Sequence, residues 1–209
     1  MVAHKLAIPA LNTVSDKYDL ISNPEWMTIA RNAEGVGANW EAGTSGSGAM
    51  FRGHSDWATG ALSAAADNDP YNGTGNTDSG AMGSGKEQKR TFTLSNGEVI
   101  WDLSGNVWEW VDWDLANAGP QEGPKTCAAG WIELPNVSCV ELSSSQYMPF
   151  ITNLTSTNGI GRFWGGPGGA ALRGGHWYNG SSAGAFTLNL HDSTTDTHTV
   201  IGFRCVYRP

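Results

Sequence analysis

With 209 residues, 39% of them hydrophobic and no apolar run of membrane-spanning length, the chain is sized for one folded domain over 1–209 and is not expected to insert into a membrane. A formal net charge of −8, with only 12 Lys and Arg scattered singly, leaves no basic surface for phosphate and excludes nucleic acid as a partner class. Charged residues make up 15% and glycines number 28, a balance that predicts turns and aromatic packing in place of amphipathic helices.

The first ten residues hold too short an apolar run before Pro9 to read as a signal peptide. Ser22 to Glu34 predicts a helix: Ser22 or Asn23 as N-cap, Pro24 in the first turn, Trp26, Ile29 and Ala30 at helical spacing, and Gly35 and Gly37 as terminators. From Gly43 to Gly85 the composition turns to Gly, Ser, Asn, Thr and Asp, broken by Phe51, Trp57, the Ala61 to Ala66 run and Tyr71, which predicts long loops with one short helix. Within it, Asp67, Asp69 and Asp78 have the look of a calcium loop, although Gly73 falls one place late and Tyr71 takes a ligand position. No cofactor is expected beyond a structural calcium there.

Asn96-Gly97 between Arg90 to Leu94 and Glu98 to Trp101 predicts a β-hairpin. It leads into Trp101 to Trp113, which carries four of the ten tryptophans and predicts a central core strand after a turn at Ser104-Gly105-Asn106. Trp108 and Trp110 would share one face, with Val107, Glu109 and Val111 on the other. Ala116 to Gly169 reads as a loop-rich excursion anchored by Trp131, Phe150, Phe163 and Trp164. Of three cysteines, Cys127 and Cys139 are spaced to bridge a loop, and Cys205 falls in an apolar terminal strand, which predicts a buried thiol. Ala185 to Leu190 and Ile201 to Tyr207 alternate as two closing strands around a polar stretch.

Gly105-Asn-Val-Trp-Glu-Trp110, Arg173-Gly-Gly-His-Trp177 and Gly202-Phe-Arg204 together resemble the formylglycine-generating-enzyme-like (sulfatase-modifying factor) branch of the C-type lectin fold. The resemblance implies an α+β domain with two helices, twisted antiparallel sheets and long loops, in which the two terminal motifs bracket a ligand-facing surface. It also implies, for the oxidase members, two cysteines shortly after Arg-Gly-Gly that bind copper. Aligned on Arg173-Gly174-Gly175, this chain has Asn179 and Gly184 near those places, and neither an amide nor a hydrogen replaces a thiolate. Calcium-dependent sugar binding needs an uninterrupted Glu-Pro-Asn, whereas here Glu133-Leu134-Pro135-Asn136 is broken by leucine.

Residues 173 to 204 resemble the variable region of proteins diversified by a retroelement, in which a reverse transcriptase copies a template with errors at adenines. Residue types reachable from an asparagine codon through its adenines alone occur at His176, Tyr178, Ser182, His191, Asp192, Asp196, His198 and Val200, with Asn179 and Asn189 as unchanged members. These ten form the candidate ligand-binding set. The interleaved Arg173, Gly174, Gly175, Trp177, Phe186, Leu188, Leu190, Ile201, Gly202, Phe203 and Arg204 read as scaffold. Tyr178 among Asn, Gly and Ser is also paratope vocabulary, a large contact at low entropic cost beside small adaptable groups.

The expectation is therefore a binding protein and not an enzyme, directed at a protein or cell-surface ligand and carried on a virion or a microbial surface. The other reading is a metal-dependent enzyme of the same superfamily, using His191, Asp192, Asp196 and His198. Glu109 and Asp112 beside tryptophans have the makings of glycosidase acids, but acids that accept indole and backbone bonds are the commoner arrangement.

Overall fold

The structure is a computed structural model that describes residues 18–55, 88–113, 129–139, 142–166 and 169–208. After a short strand β1 (Tyr18–Leu20) comes helix α1 (Asn23–Glu34). Ser22 caps it as expected, accepting from the Glu25 N–H while the Glu25 carboxylate accepts from the Ser22 N–H, and Pro24 sits in the first turn. The helix buries Trp26, Met27, Ala30 and Ala33, and the Trp26 indole donates to the Ala185 carbonyl at 2.8 Å. The hairpin also forms, with β2 (Thr91–Thr93) antiparallel to β3 (Val99–Trp101) and Gly97 at φ 88° closing the turn. Asp102, which accepts from Arg90 Nε and Nη2, and Asn106 adopt left-handed backbone and steer the chain into β4 (Trp108–Trp110).

The main sheet holds β4, β5 (Gly130–Glu133), β6 (Arg162–Gly165), β7 (Leu172–Arg173), β8 (Leu188–Asn189) and β9 (Ile201–Phe203), in the order β5-β6-β8-β7-β4-β9. Two of its pairings, β4 with β9 and β6 with β8, are parallel, so the sheet is mixed where antiparallel strands were expected. Among the described residues α1 is the one α-helix, the rest being short 3-10 turns; the Ala61 to Ala66 run lies outside them. The principal core gathers α1, Trp40, Phe92, Leu103, Phe163, Phe186 and Leu188 on one side of the sheet. Trp108 and Trp110 belong instead to a smaller cluster with Leu172 and Val200, while Val111 faces the principal core. Both faces of β4 are covered, but the tryptophan stretch is not the centre of packing.

The closing segments differ from expectation in instructive ways. Only Leu188–Asn189 of the 185–190 run is strand, because Thr187 N–H turns back to Gly184 and the Phe186 and Thr187 carbonyls serve the buried Arg173 guanidinium. Ile201 to Tyr207 is split at Arg204, whose carbonyl accepts from Ile21, so that β9 joins the main sheet and β10 (Cys205–Tyr207) pairs with β1. That change of partner turns Phe203 to 43% exposure and leaves Cys205 an exposed free thiol. Both were expected to be internal. Cys139 is disulfide-bonded, and Cys127 lies outside the described residues.

Candidate functional site

The three sequence motifs meet in space. Glu109 stands opposite Gly202 in the parallel β4–β9 pairing, and Arg204 donates to both of its carboxylate oxygens at 3.0 and 2.7 Å. Burial pushes the Glu109 carboxyl up and Arg204 opposes that shift. Glu109 is thus a strut joining the first motif to the last. Arg173, fully buried, donates to Asn23 Oδ1 and to the carbonyls of Gln146, Phe186 and Thr187, neutral oxygens only. Burial without a carboxylate lowers its pKa to about 9. Gly174 and Gly175 follow in left-handed backbone, at φ 83° and 81°, and the Gly174 carbonyl accepts from Gly105 and Gly184. This turn brings His176 to Asn179 back over β4, where the Trp177 N–H donates to Asn106.

Above that junction lies an open concavity of about 540 Å³. Its aromatic wall is built by register: β5 pairs Trp131 with Trp164 of β6, whose rings meet edge to face at 5.0 Å. Trp108 of β4 stacks near-parallel to Trp131 at 6.3 Å. His176 packs 5.9 Å from Trp108 and 3.7 Å from Tyr178, while His191 meets Trp164 at 6.1 Å. The polar wall is the 189–200 loop. Its backbone is seated on Gly169, where a Cβ would lie 1.7 Å from the Asp192 carbonyl oxygen, and His191 packs against Gly166, where a Cβ would lie 2.6 Å from its Nδ1. Asn189 fixes the start of the loop by accepting from the His191 N–H and donating to Asp192.

Nine of the ten candidate residues line this concavity: His176, Tyr178, Asn179, Asn189, His191 and Asp192, then Asp196, His198 and Val200. Ser182 does not. Its 3-10 turn points inward, where its carbonyl accepts from the Thr187 hydroxyl. The set is also not uniformly an exposed one: His176, Ser182, Asn189 and Val200 are 5 to 8% exposed, whereas His191, Asp196 and His198 are open to solvent. Residues that begin and end the terminal segment form the floor, and those of the 191–198 loop form the rim. Asn179 also serves the fold, since its side chain accepts from the His176 N–H at 2.7 Å.

His176 is the most unusual member. Its Nδ1 is buried without a hydrogen-bond partner, and burial, with His198 nearby, drives its pKa down to about 4. The imidazole is therefore neutral at pH 7. Sequence reasoning missed Trp108, Trp131, Trp164, Thr197 and Ile201 as lining residues. Trp131 and Trp164 were read as packing anchors, and only the glycines at 166 and 169, against which His191 and Asp192 pack, carried a signal that the 189–200 loop comes down beside β6.

The donor set does not suit a catalytic metal. Among the described residues no three His, Cys, Asp or Glu side chains converge closely enough to hold one, which removes the geometric support for a centre at His191, Asp192, Asp196 and His198. Nor do the positions aligned with the copper-binding cysteines fit that ion. Asn179 is engaged with backbone, and a Cβ at Gly184 would lie 2.1 Å from the Ile160 carbonyl carbon, so no side chain fits there. Asp67, Asp69 and Asp78 lie outside the described residues. No helix among the described residues is long and apolar enough to cross a membrane.

Compared with known families, residues 4–209 match the model described as the sulfatase-modifying factor enzyme 1-like domain. No curated protein matches the chain.

Proposed function

Taking as premise that the chain belongs to the sulfatase-modifying factor enzyme 1-like domain family, we propose that it is a binding protein whose C-terminal surface captures a macromolecular ligand, and that it is not an enzyme. The observation that carries this reading is the convergence of nine residues, chosen from sequence alone, on one aromatic-walled concavity. Large rigid rings beside small polar groups give contact area at low entropic cost. The alternation of scaffold and changeable residues supports diversification by a retroelement, because the struts Arg173, Glu109 and Arg204 and the seat at Gly169 fix the backbone on which rim side chains differ. Display on a virion or microbial surface suits such a role.

Two tests address the two parts of the reading. Near the gene, a non-coding near-copy of the codons for residues 173 to 204, differing almost only at adenines, should accompany a reverse transcriptase gene; a copy differing equally at all bases would sink the diversification. For binding, a displayed random-peptide library panned on the full chain should enrich sequences that are lost when Tyr178, His191 and His198 are together replaced by Ala. Equal enrichment on both proteins would place the ligand elsewhere.

A further inference from the structure

The concavity has two walls of opposite character, and together they fit one class of ligand. Trp131 and Trp164 are half-buried and meet at nearly a right angle, forming an indole corner that opens on the cavity. Trp26 and Trp40 in the principal core spend their ring N–H groups on the carbonyls of Ala185 and Glu34, whereas among the described residues no acceptor takes the N–H of Trp131 or Trp164. The corner therefore offers an apolar surface beside hydrogen-bond donors. On the polar loop, Asp192 accepts from Asn189 and Asp196 accepts from the Ser193 N–H, each through Oδ2, which orients both carboxylates and leaves Oδ1 for an incoming hydroxyl. Exposed Thr197 beside them both donates and accepts. An anionic ligand would meet these carboxylates with no Lys or Arg in the described lining, in a chain of net charge −8. A wholly apolar ligand would strip water from the loop without replacing its hydrogen bonds. What satisfies both walls is a rigid, uncharged ring with C–H groups on one side and hydroxyls around its edge, which is the form of a pyranose. Its weakly positive C–H groups pack on the negative indole face, while its hydroxyls donate and accept around the edge. We propose, resting on the binding reading above, that the concavity receives a neutral pyranose unit, its C–H side on the Trp131–Trp164 corner and its hydroxyls donating to Asp192 and Asp196. The contact is made to side-chain oxygens directly and needs no calcium.

The test uses the full chain, labelled with ¹⁵N, and follows the indole N–H signals of Trp131 and Trp164 by nuclear magnetic resonance, in EDTA and again in calcium. The probes are the methyl glycosides of glucose, galactose, mannose and N-acetylglucosamine, with methyl glucuronoside as the anionic counterpart and cyclohexanol as a ring with a single hydroxyl. An array of immobilised neutral and sialylated glycans carries the same chemistry on whole oligosaccharides. At least one neutral glycoside should shift both signals in EDTA, binding about ten-fold more tightly than the glucuronoside or cyclohexanol. Asp192→Asn should weaken it about five-fold and Trp131→Ala about ten-fold, with the dispersion of the remaining indole signals checking the fold. An array glycan bound more tightly than its methyl glycoside identifies an oligosaccharide as the ligand, and equal affinity identifies a single unit. Cyclohexanol or the glucuronoside binding as well as the neutral sugars, binding that requires calcium, or shifts that survive either substitution would overturn the saccharide inference. Silence of every neutral probe up to tens of millimolar, with a blank array, would also overturn it, whereas the binding reading falls only with the panning result.

Discussion

Acidification should weaken this fold through one imidazole. His176 titrates at about 4 in the folded chain, against an ordinary value of 6.5, so between those values the unfolded chain holds the proton and the folded chain does not. The stabilisation is complete above about pH 6.5 and is lost as pH falls toward 4. For this group alone, moving from pH 7 to pH 5 lowers unfolding free energy by about 2 kcal/mol at most. Because the ring lines an open concavity, solvent screening reduces this to roughly 1 kcal/mol. Urea melts at pH 7 and pH 5 on the wild-type chain and on His176→Gln isolate the contribution, since the variant should show a pH loss smaller by that amount. A ¹³C titration of the ring gives the pKa directly. Identical pH losses in the two proteins, or a ring titrating near 6.5, would refute the burial argument.

Other expectations follow from the struts and the core. Glu109→Ala should cost about 3 kcal/mol by leaving Arg204 without its carboxylate, and the double variant with Arg204→Ala should cost clearly less than the sum in denaturant melts. Phe163→Ala, at a fully buried ring, should cost roughly 3 to 5 kcal/mol, whereas Phe203→Ala at its exposed position should cost under about 1 kcal/mol; equal losses would contradict the split of the last strand. Gly184→Ala should abolish soluble folded protein, because its Cβ has no space beside Ile160 and Gly161, and a normal melt would mean that the 3-10 turn relaxes freely. Reducing the Cys139 disulfide should lower unfolding free energy by about 2 to 4 kcal/mol, measured with and without reductant.

Local chemistry was legible in the sequence. The N-cap at Ser22, the Asn-Gly hairpin and the turn at Ser104-Gly105-Asn106 follow from interactions spanning a few residues, and all three appear as expected. The candidate site was legible for a different reason: its members stand out by residue type inside one continuous segment. What stayed hidden depends on partners distant in the chain. Phe203 and Cys205 sit in an apolar run that reads as internal, yet the change from β4 to β1 as neighbour at Arg204 decides which side chains face out. The depth of His176 depends on Trp108 and Tyr178 closing over it, and the uncovered faces of Trp131 and Trp164 depend on a β5–β6 register that no local signal sets.

The parallel pairing of β4 with β9 joins residues about ninety positions apart, Trp108 with Ile201, and Arg204 locks it onto Glu109. Contacts of such separation carry a large loop-closure cost and slow folding, and they form after local structure such as α1 and the β2–β3 hairpin. Because the cavity rim closes through these contacts, its substitution is expected to hasten unfolding while leaving the folding rate nearly unchanged, which folding and unfolding rates in denaturant would check. Substitutions at the rim should then change how long the folded chain lasts and not how fast it forms.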